Sequence, residues 1–238
     1  MGTKFSFFIL IAMVFVACTN DTKSPDVLQS KMAKAISYND YYTAIYYAHE
    51  LLDLDNKVDS TAFQLVELYL ITKNYAGAIK MANELLPNAN AERQKQLWKI
   101  KADAFSKSRD YASAITAYDT LVHLDKDKEL DCLYEIGVLY FQGRSIQKGM
   151  EAMQKVIANP LSRTTMTTIR SDWGEDKVPY YLAALNYIGY VQIETKKFLE
   201  AEAIYEEIVQ AKIPFKLAEG NMKLLEQRKA QLTKQAAK

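Results

Sequence analysis

Few side chains in this sequence have the type and spacing that catalysis or metal binding requires. The only histidines, His49 and His123, stand far apart in the chain. Cys132 lies beside Leu133, and a lone thiol in such a setting is more often a small buried hydrophobic group than a nucleophile. The sequence contains no Cys–His cluster with metal-ligand spacing, no glycine-rich phosphate loop, and no GxSxG or HExxH motif. We therefore predict no enzymatic activity, no metal and no cofactor.

Cys18 is the one residue whose surroundings predict a defined chemical modification. An apolar run from Phe5 to Ala17 precedes it, which is long enough for a signal peptide and short for a membrane span. The segment Val16-Ala17-Cys18 resembles a bacterial lipobox. This resemblance implies that residues 1–17 are a lipoprotein signal peptide and that the Cys18 thiol is acylated. Residues 18–24 would then be the lipidated cysteine and a polar tether, which reaches about 20 Å at full extension.

The residue after the cysteine bears on location in the cell envelope. Thr19 stands where lipoproteins retained in the inner membrane of enteric bacteria carry aspartate, so we expect a lipid-anchored protein of the outer membrane. The alternative reading is an ordinary signal peptide, or a short anchor, with an incidental cysteine.

The composition excludes several other classes. Lys and Arg number 30 and Asp and Glu 29, so no charge excess points to nucleic acid or to an anionic surface. The 238-residue chain has only 8 Gly and 5 Pro, which fits a mostly helical protein, because both residues disfavour helix interiors. We place every proline at a helix boundary.

A short pattern recurs five times along the rest of the chain. Each copy places a small residue on a helix, with apolar residues at helical spacing after it and another amphipathic helix before it. The small residues are Ala44, Ala78, Ala114, Gly149 and Ala201. Their spacings are 34, 36, 35 and 52 residues, the last being 34 plus an 18-residue insertion. Antiparallel helices can approach closely only where side chains are small, so these residues predict five tightly packed helix pairs.

The pattern resembles the tetratricopeptide repeat, for which a 34-residue period is typical. Repeat 4 matches well, with Leu133, Ile136, Gly137 and Tyr140. The resemblance implies an all-α, right-handed α-solenoid of about five helix pairs. We assign residues 25–213 to the five repeats, with an insertion at 159–179. Residues 214–238 are assigned to a capping helix with a frayed tail, because Leu217, Met222, Leu225 and Leu232 can cover the last repeat.

The same resemblance implies protein binding in a concave groove lined by the first helix of each repeat. The groove positions are Phe63, Glu67 and Leu70 in repeat 2, Lys99, Asp103 and Ser106 in repeat 3, Tyr134, Val138 and Phe141 in repeat 4, and Asn186, Tyr190 and Ile193 in repeat 5. The predicted partner-binding residues among them are Phe63, Leu70, Lys99, Tyr134, Phe141 and Tyr190. The alternative for the aromatic residues is internal packing, or a plain surface position. A carboxylate clamp is not expected, because Asp103 and Ser106 follow Lys99.

The insertion at 159–179 is a second candidate interface. A long loop among short ones needs a reason, and insertions in repeat proteins often lie on a binding face. Arg170 and Trp173 give it the composition of an interface hot spot, so we add both to the predicted site. The alternative is a loop that only packs against the repeats, or a disordered one.

These observations favour a membrane-anchored scaffold that binds a protein or peptide in the bacterial cell envelope. A different class of function is a lipoprotein that captures a glycan or small molecule, in which Tyr134, Phe141, Tyr190 and Trp173 would stack on sugars. An enzyme of cell-wall metabolism would need a catalytic domain, for which the sequence offers no candidate.

Overall fold

The structure, a computed structural model, describes residues 24–54 and 59–236. The chain divides into two compact units, Met1–Val58 and Asp59–Lys238. Cys18 lies outside the described residues, so its acylation stays a prediction. In the first unit, α1 (Pro25–Ser37) packs antiparallel to α2 (Tyr41–Leu54). Ser24 begins α1 by accepting a hydrogen bond from the Val27 amide, with Pro25 at the first helical position.

The second unit contains four further helix pairs and a final helix. They are α3 (Asp59–Ile71), α4 (Tyr75–Leu85), α5 (Ala91–Lys107), α6 (Tyr111–Leu124), α7 (Glu129–Gln142), α8 (Ile146–Ala158), α9 (Tyr180–Glu194), α10 (Phe198–Gln210) and α11 (Lys216–Ala236). Within this unit each helix packs against the next one along the chain. The first helices of neighbouring pairs also meet, α3 with α5 and α7 with α9.

All five pairs turn the chain in the same way. The second residue after each first helix has a positive φ, and the next amide donates to a carbonyl five residues back, as in a Schellman motif. The residues with positive φ are Asn39, Lys73, Arg109, Arg144 and Lys196. In the first three pairs the next side chain, Asp40, Asn74 or Asp110, then caps the second helix. One turn geometry therefore fixes how every pair is folded.

The small residues of the repeated pattern lie where the paired helices touch. Ala44, Ala78, Ala114 and Ala201 have no exposed surface, and Gly149 is buried as well. A Cβ at Gly149 would lie 2.6 Å from the Phe141 ring, which leaves no room for any larger residue. The predicted close approach of the helices is confirmed.

The insertion differs from the predicted loop, because most of it is a β-hairpin. A short 3₁₀ turn at Pro160–Arg163 leads into β1 (Met166–Ser171), which pairs antiparallel with β2 (Gly174–Pro179). One face of the hairpin is directed inward and carries half-buried Ile169 with buried Val178, while the other face is exposed. Successive side chains of a strand point to opposite faces, so buried and exposed residues alternate when only one face is covered.

The hairpin is attached to α11. The buried Asp176 carboxylate accepts hydrogen bonds from the amides of Lys216 (3.2 Å) and Leu217 (3.1 Å), so a residue of β2 caps the N-terminus of this helix. Near the hairpin tip, the Trp173 ring lies so close to Gly220 that no Cβ would fit there. The insertion therefore holds the final helix in place.

The C-terminal segment, for which we predict a capping role, makes further contacts with the last repeat. Leu217, Met222 and Leu225 of α11 pack into the core formed with α9 and α10. Leu232, nearer the end of the helix, keeps 47% of its surface exposed.

We predict that Asp176→Ala destabilises the second unit by about 1–3 kcal/mol, because it leaves two amides at a helix start without an acceptor. Urea unfolding measures the loss, and hydrogen exchange should quicken first at the start of α11. Asp172→Ala, at the exposed tip of the same hairpin, is the matched control and should change little. Equal effects of the two substitutions would contradict the capping role.

Candidate functional site

A cavity of about 400 Å³ lies on the face formed by the first helices of three successive pairs, α3, α5 and α7. Its apolar lining comes from Phe63, Ile100, Leu121 and Cys132. Its charged and polar lining comes from Glu67, Glu92, Lys95, Gln96, Lys99, Asp125, Lys128 and Asp131. An apolar floor with a charged rim suits a ligand that has both an apolar group and polar neighbours.

Lys99 and Asp103 form a polar centre beside this cavity. The Lys99 ammonium donates to Asp103 at 2.7 Å, and the Tyr118 hydroxyl donates to the same carboxylate oxygen at 2.7 Å. Burial disfavours the charge on Lys99, yet Asp103, Asp131 and Glu135 together raise the pKa of this lysine above its ordinary value. Burial and the neighbouring carboxylates also raise the pKa of Tyr118, so its hydroxyl stays protonated and remains a donor.

Glu135 is the most perturbed carboxyl group in this part of the protein. Burial, followed by repulsion from Asp131 one helical turn away, raises the pKa of Glu135 to about 7. Asp131 in turn accepts a hydrogen bond from the Tyr180 hydroxyl at 2.7 Å. With Asp103, three carboxyl groups thus surround one lysine, and one of them changes charge near neutral pH.

Solved structures with the same arrangement of helices are numerous. MamA from Desulfovibrio magneticus RS-1 is 13% identical, with a TM-score of 0.57 over 78% of this chain and 93% of that one. YrrB, described as a TPR protein with an unusual peptide-binding site, is 12% identical, with a TM-score of 0.55 over 86% and 94%. The apo form of RapI is 12% identical, with a TM-score of 0.57 over 77% and 68%.

The chain has the tetratricopeptide-repeat (TPR) fold. The all-α class and the helix pairs predicted from the sequence are confirmed. No family model matches the sequence, and no curated protein matches it either. At such low identities the likeness concerns the fold alone.

Two residues predicted to meet a partner lie in the core of the TPR stack instead. Tyr134 is only 8% exposed and packs edge-on against Tyr180, with ring centroids 5.6 Å apart. Phe141 is 9% exposed and stacks on Tyr187 at 5.0 Å. The prediction that these two rings are available to a partner is therefore wrong, because aromatic residues of α9 cover both of them.

The groove positions of repeat 5 are mostly covered as well. Asn186 is buried, and its side-chain oxygen accepts a hydrogen bond from Asn221 of α11 at 3.0 Å. Ile193 is buried too, whereas Tyr190 keeps 40% of its surface exposed. The capping helix thus occupies part of the groove here, and the open part lies between α3 and α7.

The remaining predicted residues do not form one site. Phe63 and Lys99 line the cavity, and the Arg93 guanidinium lies 3.8 Å from the centre of the Phe63 ring. Leu70 is half-buried against the core around Phe63 and does not line the cavity. In the hairpin, Arg170 is exposed and bonds Glu175 at 2.9 Å, and Trp173 is 49% exposed. Binding by either hairpin residue stays a prediction.

Potential metal ligands do not cluster among residues 24–54 and 59–236. No group of three or more His, Cys, Asp or Glu side chains there could hold a metal ion. Burial raises the pKa of the Cys132 thiol to about 12, so this cysteine stays protonated and is a poor nucleophile. In the same part of the chain, no helix is both long and apolar enough to span a bilayer.

Asp131, Glu135 and Tyr180 were not identified from the sequence. The signal for the first two was present, since like charges four residues apart on one helix are unfavourable unless the site uses them. Tyr180 could not have been found, because only the folded insertion brings it to Asp131.

We predict that Glu135→Gln stabilises the protein at pH 8 by on the order of 1–3 kcal/mol, since one pKa unit corresponds to about 1.4 kcal/mol. The folded protein holds this proton up to a pKa of about 7, while an unfolded glutamate loses it near 4.3. The folded state therefore binds more protons between these values, and wild-type stability falls as the pH rises through this range.

Unfolding by urea at several pH values between 5 and 8 tests this, with exposed Glu207→Gln as the control. In the Glu135 variant the free energy of unfolding should depend less on pH than it does in the Glu207 control. Parallel profiles for the two variants would show that Glu135 is not buried as described.

Proposed function

We propose that the chain is a membrane-anchored scaffold of the bacterial cell envelope, and that it binds a segment of a partner protein in the groove between α3, α5 and α7. The observation that carries this proposal is the open cavity with Phe63, Ile100 and Leu121 on its floor and charged groups on its rim. An apolar side chain of the partner would fill the floor, and its polar neighbours would pair with the rim.

The anchor is the acylated Cys18 expected from the lipobox-like segment. Several acyl chains on one residue hold a protein firmly, since each buried methylene contributes about 0.8 kcal/mol. The location that we propose is the outer membrane, because Thr19 follows the cysteine.

The shared fold supports a peptide or protein as the ligand. YrrB has this fold and carries a peptide-binding site. The groove here has its own chemistry, because Lys99 is already engaged by Asp103 and is flanked by Asp131 and Glu135. We therefore expect it to favour a segment with a basic residue over a free C-terminal carboxylate.

Capture of a glycan is the weaker candidate. Of the four aromatic residues that would stack on sugars, Tyr134 and Phe141 are buried. The other two, Tyr190 and Trp173, lie on different elements of the fold.

We predict that Gln96→Trp abolishes partner capture by filling the cavity. Gln96 is exposed and lines the cavity, so the new indole can be accommodated without disturbing the core. The full chain is expressed in its native host, crosslinked in membranes and recovered by affinity tag, and captured proteins are quantified by mass spectrometry. Capture should fall about tenfold or more, which corresponds to a loss of 1.4 kcal/mol in binding.

Thr116→Trp is the matched control, because it adds the same side chain at an exposed position of α6. It should capture the partner as wild type does. If the Gln96 variant captures as much partner as wild type does, the interface does not lie in this cavity. The glycan alternative would be favoured if no protein is captured specifically and if a sugar raises the melting temperature of the chain.

A further inference from the structure

Three tyrosines of the first helix pair are exposed to an unusual degree. Tyr38, Tyr42 and Tyr46 keep 72%, 76% and 57% of their surfaces exposed. Tyr38 follows the last residue of α1, and Tyr42 and Tyr46 lie one helical turn apart on α2. Residues four apart on a helix share one face, so Tyr42 and Tyr46 lie on the same face of α2. These two residues, together with Tyr38 in the turn that leads into α2, are called the tyrosine face.

The fold itself does not require aromatic residues at these positions. The repeated pattern aligns Tyr38 with Thr72, Ser108, Gly143 and Thr195 in the other four repeats. It aligns Tyr42 with Ala76, Ala112, Gln147 and Leu199, and Tyr46 with Lys80, Thr116, Glu151 and Ala203. All but one of these residues are small or polar, and the turns and helices are the same in every repeat. The tyrosines of repeat 1 therefore have a use other than folding.

Tyrosine suits a boundary between water and an apolar phase. Its ring is apolar and its hydroxyl is polar, which is why tyrosine is enriched at the headgroup level of membranes. Residues 24–54 carry two lysines and four carboxylates, so electrostatic attraction to anionic lipid does not favour binding of this unit to a membrane. Contact with an uncharged headgroup region through the rings remains favourable, because it depends on burial of apolar area.

We propose that the tyrosine face lies on the bilayer surface when the chain is anchored. This inference rests on the proposed acylation of Cys18. That residue precedes Ser24 by only six positions, and such a segment spans about 20 Å at most. α1 has 13 residues and is about 20 Å long, so the whole first helix pair lies within reach of the headgroups.

The contact gives the anchor a second point of attachment. A lipid on one residue limits the distance of a domain from the membrane but does not by itself fix the orientation of the domain. A helix pair that rests on the bilayer through three aromatic rings fixes its own orientation as well.

Enzymatic iodination of tyrosine tests the proposal within a single preparation. The acylated chain is reconstituted into dioleoylphosphatidylcholine vesicles, iodinated with lactoperoxidase, which is too large to enter the bilayer, then digested and analysed by mass spectrometry. Tyr190, in the second unit, is 40% exposed and serves as the internal reference. Without lipid contact Tyr42 is the more exposed of the two and should be iodinated more. With lipid contact the order should reverse, and Tyr38 and Tyr46 should be protected together with Tyr42.

The same digest separates failure of the anchor from failure of the contact, because the peptide that contains Cys18 reports acylation by its mass. An acylated chain in which Tyr42 is still iodinated more than Tyr190 overturns the tyrosine contact and leaves the anchor standing. A chain without acyl groups overturns the anchor and the contact together. Protection in native membranes but not in vesicles would show that a protein, and not lipid, covers the face.

Discussion

The close approach of paired helices is the constraint on which the rest of this structure depends. Protein interiors are packed as densely as organic crystals, so two helix backbones can approach closely only where one of the helices carries almost no side chain. Ala44, Ala78, Ala114 and Ala201 have no exposed surface, and Gly149 meets the ring of Phe141 directly. The period of the sequence is the distance along the chain between one such contact and the next.

The groove and its closed end follow from this packing. First helices that stack at regular intervals leave one common face, and the cavity with Phe63 and Lys99 lies on it. At α9 the same face is covered, because Asn221 of α11 bonds Asn186. α11 is held there by Asp176 of the hairpin, so the insertion sets where the groove ends.

The repeats could be predicted from the sequence because their signal is local and occurs five times. Helix periodicity, small residues and boundary prolines all indicate the same pairs. The hairpin was missed because it occurs once and its second strand, Gly174–Pro179, consists mostly of residue types that are depleted in strands. The misassigned aromatic residues have a different cause. Tyr134 and Phe141 occupy predicted groove positions of their helix, but Tyr180 and Tyr187 of α9 cover them. The Phe141 ring also packs against Gly149 of α8.

The most direct measurement of the packing constraint is the free energy of unfolding of two matched variants of α6. Ala114→Val adds two methyl groups at a helix contact with no exposed surface, whereas Ala112→Val adds the same groups at an exposed position of the same helix. We expect Ala114→Val to lose about 1–3 kcal/mol through overpacking. Ala112→Val should lose less than about 0.7 kcal/mol, the difference in helix propensity. Equal losses would contradict the view that close approach at small residues holds these helices together.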